Sequence, residues 1–135
     1  MTAGYSGTPL ARKLSLKDGL RTWWCQMPDS VRAEIARENI ALTLLDTPEP
    51  PVEAAHIFVT ERALLEVELR LLLPVLDRAG FIWVSWPKQA AKVPTDITED
   101  VIRAVALPLG LVDVKVCAVD AIWSGLKLVI RKSER

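Results

Sequence analysis

Between Gly80 and Pro87 the chain reads Phe81-Ile82-Trp83-Val84-Ser85-Trp86, an apolar run broken only by Ser85. A strand with one wet face alternates apolar and polar residues. A continuously apolar strand is covered on both faces, as in a parallel sheet flanked by helices. That condition sets the fold class, because helices must then lie on both sides of the strand.

The rest of the chain supplies such helices and further strands. Leu20 to Met27 and Ala55 to Thr60 read as strands, and Ile40 to Leu45 as another, closed by Asp46 and the proline-rich loop Thr47 to Glu53. Pro28-Asp29-Ser30 offers N-cap chemistry for a helix to about Glu38. Leu65, Leu69, Leu72 and Leu76 recur at helical spacing within Glu61 to Ala79, where Pro74 imposes a kink and Gly80 a stop. Asp96-Ile97-Thr98-Glu99 has the spacing of a capping box, opening a helix with Val101, Ile102, Val105 and Leu109 on one face. Val114 to Val119 and Leu126 to Arg131 then predict an antiparallel hairpin. The sum is an α/β fold: a reduced Rossmann-like three-layer sandwich, mostly parallel, ending in that hairpin. The eight residues from Asp46 to Glu53 are short for a parallel crossover, so the second strand is expected to be displaced or irregular.

Its 135 residues suit one domain, 1–135, with residues 1–19 a lead-in that carries a short helix after Thr8-Pro9. Seventeen basic residues balance seventeen acidic ones, and the basic residues are scattered, which argues against nucleic acid and anionic membranes as partners. No apolar run approaches the roughly 18 residues of a membrane span, and Met1 to Leu10 lacks the pattern of a secretory leader. A cytoplasmic protein is expected. Cys25 and Cys117 stand far apart inside apolar runs, and His56 is the only histidine, so no metal is assigned and the thiols are read as buried and reduced.

Several segments together have a familiar pattern: Gly4-Tyr5-Ser6-Gly7-Thr8-Pro9-Leu10, Trp86-Pro87-Lys88, Val93-Pro94-Thr95-Asp96 with Thr98-Glu99-Asp100, and Ala106-Leu107-Pro108-Leu109-Gly110-Leu111-Val112-Asp113. Lys115-Val116-Cys117-Ala118-Val119-Asp120, followed by Trp123-Ser124-Gly125-Leu126, completes it. The chain resembles the bacterial family of domain of unknown function 3052 over nearly its whole length, most densely from Trp86 to Arg131. The resemblance implies a methyltransferase-like topology with no assigned activity. One stretch departs from the family pattern: Trp23-Trp24-Cys25-Gln26-Met27 stands where aliphatic residues lead into an Asn-Ala-Pro turn.

Nucleotide cofactors in such folds sit where the first strand turns into its helix, on glycines that let the backbone approach the ligand. Here the turn is Met27-Pro28-Asp29-Ser30, without glycine, and Asp46 alone is half a fingerprint for a ribose. No cofactor is assigned; S-adenosylmethionine, NAD and ATP are expected not to bind. Cys25 is placed near the C-terminal end of its strand and His56 near the N-terminal end of another that should run parallel to it, too far apart for a nucleophilic dyad. No serine lies in a nucleophile-elbow pattern. Trp23, Trp24, Trp83 and Trp86 are read mainly as core.

Ligands in open α/β sheets bind beyond the carboxyl ends of the strands, and the polar groups expected there define the candidate ligand site: Thr60, Trp86, Lys88, Thr98, Glu99, Asp120 and Trp123. The function expected is a non-catalytic or degenerate module that binds a small polar ligand or a protein partner. The alternative is a small enzyme using Lys88 with Glu99 or Asp120 for acid-base chemistry. Unequal helix cover predicts a bare sheet face, including Ile82, Val84, Val116 and Leu128, and hence a homodimer or partner that buries it.

Overall fold

The computed structural model describes residues 7–135, so Gly4, Tyr5 and Ser6 of the N-terminal motif lie outside the described residues. A short helix α1 (Leu10–Lys13) leads into β1 (Arg21–Cys25), α2 (Asp29–Ala36), β2 (Thr43–Leu44), β3 (Val52–Phe58) and α3 (Arg62–Leu72). Then follow β4 (Leu76–Pro87), α4 (Glu99–Ala106), β5 (Leu111–Ala118) and β6 (Trp123–Ile130). The six strands form one sheet in the order β2-β1-β3-β4-β6-β5. β2, β1, β3 and β4 run parallel, while β6 pairs antiparallel with both β4 and β5. The chain winds outward in both directions from β1 and β3, and helices cover both faces. This is the expected α/β sandwich with its terminal hairpin.

Alternation along the strands sorts the core into two layers. Ala55, Ile57, Ile82, Val84, Trp86, Leu126 and Leu128 pack beneath α3 and α4, through Leu65, Leu69, Leu72, Ile102 and Val105. Ala54, Phe58, Trp83 and Val119 pack on the other side against Leu10 and Leu14 of the α1 segment and Val31 and Ile35 of α2. Trp83 is fully buried, and its indole N–H donates to the Leu14 carbonyl at 3.0 Å, which ties the lead-in segment to the sheet. The face expected to be bare is therefore covered: Ile82, Val84 and Leu128 point toward α3 and α4, with no exposed area. Of the four residues named for it, only Val116, on the edge strand β5, is exposed.

Three local readings are corrected. The helical period persists only to Leu72; a 3₁₀ turn through Pro74 ends it, and β4 begins at Leu76. Leu76 pairs with Val52 and Phe81 with Ala54, so Asp77 to Gly80 bulge out of the ladder rather than extend the helix. The strand expected over Ile40 to Leu45 shrinks to Thr43–Leu44, which makes the return to β3 short enough for a helix-free connection. Arg21 holds that connection by donating from Nε to the Pro51 carbonyl at 2.8 Å. Finally, the N-cap of α4 is Thr98, whose Oγ1 accepts from Val101 N at 3.2 Å. Asp96 instead accepts from Arg62 N at 2.7 Å and serves the start of α3.

Candidate functional site

Because β3 and β4 run parallel, their carboxyl ends bring Thr60 and Trp86 to one edge of the sheet, and the start of α4 returns to the same edge. A depression of about 400 Å³ forms there, lined by Trp86, Pro87, Gln89, Thr95, Ile97, Thr98 and Glu99. Trp86 and Ile97 are buried and give it an apolar floor. Thr95 organises the rim: its hydroxyl donates to the Thr60 carbonyl at 2.6 Å and accepts from Ile97 N at 3.1 Å. Thr60 thus enters the site through its backbone.

Three of the seven sequence candidates, Trp86, Thr98 and Glu99, line this depression together. Lys88 is half-buried beside it, with its backbone N–H bonded to the Ile122 carbonyl at 2.7 Å. Asp120 shapes the β5–β6 turn, its Oδ1 accepting from Ile122 N at 2.8 Å and Trp123 N at 2.7 Å. Trp123 lies on the opposite face of the sheet, edge-on to Phe58 with ring centroids 5.1 Å apart. Glu99 pairs with Arg103 at 2.9 Å, and the same guanidinium reaches Asp100 and, across to β5, Asp113. Gln89 carries no signal in the sequence, whereas Thr95 and Ile97 belong to the segment Thr95 to Asp100 that the sequence places at the opening of a helix. The signal for Thr95 was its position two residues before Ile97, the spacing of a hydroxyl-capped turn.

His56 offers no chemistry to this edge. It is buried, stacked on Phe58 with centroids 4.5 Å apart, and its Nε2 lies 2.7 Å from Ser85 Oγ. Burial lowers its pKa to about 3, which keeps the ring neutral. The Cys25–His56 dyad fails for a different reason than strand length. Trp24 pairs with His56 and Cys25 with Ile57, so the two residues are nearly level, but the sheet itself separates them: Cys25 belongs to the α3 layer and His56 stacks in the α1 layer. Burial, with help from the Glu68 carboxylate, pushes the Cys25 thiol up. Burial also raises Cys117, against the opposing pull of Lys13 and Lys115. Both cysteines are free. Among the described residues no group of three or more His, Cys, Asp or Glu side chains is placed to hold a metal ion, and no helix is long and apolar enough to cross a membrane.

No family model and no curated protein sequence matches this chain. Solved structures do. A ribosomal protein L11 methylase from Lactobacillus delbrueckii subsp. bulgaricus superposes with a TM-score of 0.56 at 12% identity, over 90% of this chain and 77% of its own. Magnesium protoporphyrin IX methyltransferase from Synechocystis PCC 6803, with bound SAM, gives 0.58 at 11% identity, over 90% of this chain and 74% of its own. The fold is methyltransferase-like. At such identities the likeness extends to the fold alone, and a pericyclic reaction enzyme shares it at a TM-score of 0.51 and 14% identity, with this chain spanning 39% of its length.

The neighbour with bound SAM raises the question whether this chain could hold the same cofactor. In a doubly wound sheet the nucleotide crevice opens where the winding reverses, here between β1 and β3. The turn after β1 has Gln26 at φ 58, a left-handed position that glycine ordinarily occupies, then Met27, buried, and Pro28 as the N-cap of α2. Proline offers no N–H, and its carbonyl is taken by Val31 N and Arg32 N. The glycine cradle is replaced by side chains, one of them packed into the core. The residues present do not fit the cofactor.

Proposed function

We propose that the chain is a non-catalytic or catalytically degenerate methyltransferase-fold module that binds a small polar ligand in the depression between Trp86 and the start of α4. The observation that carries this reading is the employment of the polar groups around a ready-made apolar floor. Thr98 Oγ1 caps α4, Glu99 Oε2 pairs with Arg103, and Asp120 Oδ1 holds a turn. Acid-base catalysis by Lys88 with Glu99 or Asp120 has no observation in its favour. Glu99 and Asp100 occupy the first turn of α4 and already offset the positive end of the helix, so the rim keeps no helix-end attraction for an anion and suits a neutral or cationic polar ligand. A thermal-shift screen of neutral and cationic polar metabolites tests the proposal, since a ligand that prefers the native state raises stability by mass action. A saturable shift lost in Gln89→Ala and Trp86→Phe supports it; a shift that persists in both variants rejects this site.

A protein partner is the second reading, and a specific surface favours it. Leu64, Val67 and Leu71 are 42%, 51% and 59% exposed and form one stripe on α3. A homodimer or partner would cover this stripe rather than the sheet face, which α3 and α4 already cover. Sedimentation at micromolar concentration should give about twice the 15.0 kDa chain mass for the simplest symmetric solution. A monomer that Leu71→Lys leaves unchanged rejects the homodimer.

A further inference from the structure

At the opposite end of the sheet, where the parallel strands begin, a second depression of about 520 Å³ opens on the α1 side. Arg12, Ser15, Lys17, Phe81 and Lys127 line it. Lys127 is half-buried, with Nζ 4.5 Å from the centroid of the Phe81 ring and 3.0 Å from Ser15 Oγ. Ser15 itself holds a left-handed backbone, φ 62, a conformation costly for a residue with a Cβ.

Directly across the β5–β6 ladder from Lys127 stands Lys115, whose Nζ contacts the Lys13 carbonyl at 3.3 Å. Like charges placed opposite one another destabilise an antiparallel pair. Among the described residues, the ion pairs are all made by arginines, and none involves Lys17, Lys115 or Lys127. Burial, then Lys115 and Lys17, lower the pKa of Lys127. Two carboxylates share the depression, but each is held by a backbone N–H: Glu53 by Arg21 N at 2.9 Å and Asp77 by Ala79 N at 3.0 Å. Lys127 and Lys115 thus oppose each other across the ladder with neither in an ion pair, and Lys127 joins Lys17 and Arg12 in lining a concave space that also holds Glu53 and Asp77.

We propose that this depression binds a phosphate group, carried by a small phosphorylated molecule, with Lys127, Lys17 and Arg12 as its cations and the Ser15 hydroxyl as a further donor. A phosphomonoester brings nearly two negative charges and three acceptor oxygens, enough to engage several cations at once; a carboxylate would satisfy fewer. Glu53 and Asp77 line the same depression, so its three cations leave an excess of one positive charge, which suits one compact anion rather than an extended polyanion. Leu20 and the Phe81 ring supply apolar surface for the body of the ligand.

Inorganic phosphate is the probe, titrated against the whole chain at constant ionic strength, with sodium chloride as the matched control and thermal stability and amide chemical shifts as readouts. Phosphate should raise the melting temperature saturably, and the largest shift changes should fall at Ser15, Lys17 and Lys127. Lys127→Met and Lys17→Met should each weaken phosphate roughly tenfold, the worth of one charge-assisted hydrogen bond. Without phosphate, Lys127→Met should melt at or above the wild-type temperature, because the lysine repulsion is gone. Lys17 is exposed, so Lys17→Met carries the test even if the Lys127 variant does not fold. The proposal is overturned if phosphate stabilises no better than chloride, or if it acts equally on wild type and Lys17→Met. The two depressions lie at opposite edges of the sheet, so failure of either assignment leaves the other standing.

Discussion

His56 should make this protein acid-sensitive in a measurable way. The folded chain holds the ring neutral, with a pKa lowered to about 3, whereas an unfolded histidine titrates near 6.5. Below pH 6.5 the unfolded chain takes up a proton that the native chain refuses, so stability is fully present above about pH 7 and falls as the pH drops toward 3. Linkage gives a loss of about 2 kcal/mol at pH 5 and about 3 kcal/mol at pH 4, out of a total that for such domains is about 5–15 kcal/mol. Carboxylates also titrate in this range, so the clean quantity is a difference between two chains. His56→Gln keeps a hydrogen-bonding group near Ser85 Oγ and removes the titration. Urea unfolding at pH 7 and pH 5, followed by circular dichroism, should show wild type losing about 2 kcal/mol more than the variant over that interval. Parallel losses, agreeing within about 0.5 kcal/mol, would refute the assignment of a buried neutral imidazole.

Trp83→Phe removes the donor that meets the Leu14 carbonyl, and should cost about 1–3 kcal/mol in urea unfolding while speeding hydrogen exchange at Leu14 and Leu16, where the lead-in segment is pinned. Thr98→Ala should cost about 1 kcal/mol, read in the same assay, because the first turn of α4 loses its side-chain cap. Calorimetric titration with S-adenosylmethionine, NAD or ATP should give no heat of binding; a micromolar constant for any of them would show that the β1 turn can open.

The order of strands and helices followed from periodicity because α3 and α4 bury one stripe each and β4 is covered on both faces, so their patterns are set by a single environment. What the pattern did not fix is where elements stop. Leu76 continues the heptad-like spacing of Leu65, Leu69 and Leu72, yet Pro74 cannot sit inside a helix without losing a hydrogen bond, and the chain leaves the helical path there. Asp96 and Thr98 are both good caps by composition. Tertiary placement decided between them: the loop carrying Asp96 passes the start of α3, a proximity that no local window contains. Sheet faces were assigned with the wrong parity for Ile82, Val84 and Leu128, because register moves every side chain by one face per residue and the sequence holds no absolute reference for it. The Lys115–Lys127 opposition has the same origin. It becomes visible only once the β5 bulge between Asp113 and Lys115 has set the hairpin register.

The candidate site was partly readable for a related reason: Thr98 and Glu99 could be placed at a strand-end edge from topology alone, whereas Trp123 could not be placed on a face. The β1 turn connects this to function. In a doubly wound fold the crevice at the reversal point is walled by the turn after the first strand and by the end of the second. Here the second strand is two residues long, no helix separates it from β3, and the turn side chain of Met27 is buried with Val31 and Ile35. Apolar burial of a methionine is worth roughly 2 kcal/mol to the fold, so reopening the turn for a nucleotide would oppose the packing of α2 directly. A chain built this way gains stability at the place where a doubly wound fold opens its crevice. The two proposed binding sites lie away from that packing, one beside the start of α4 and one beside α1.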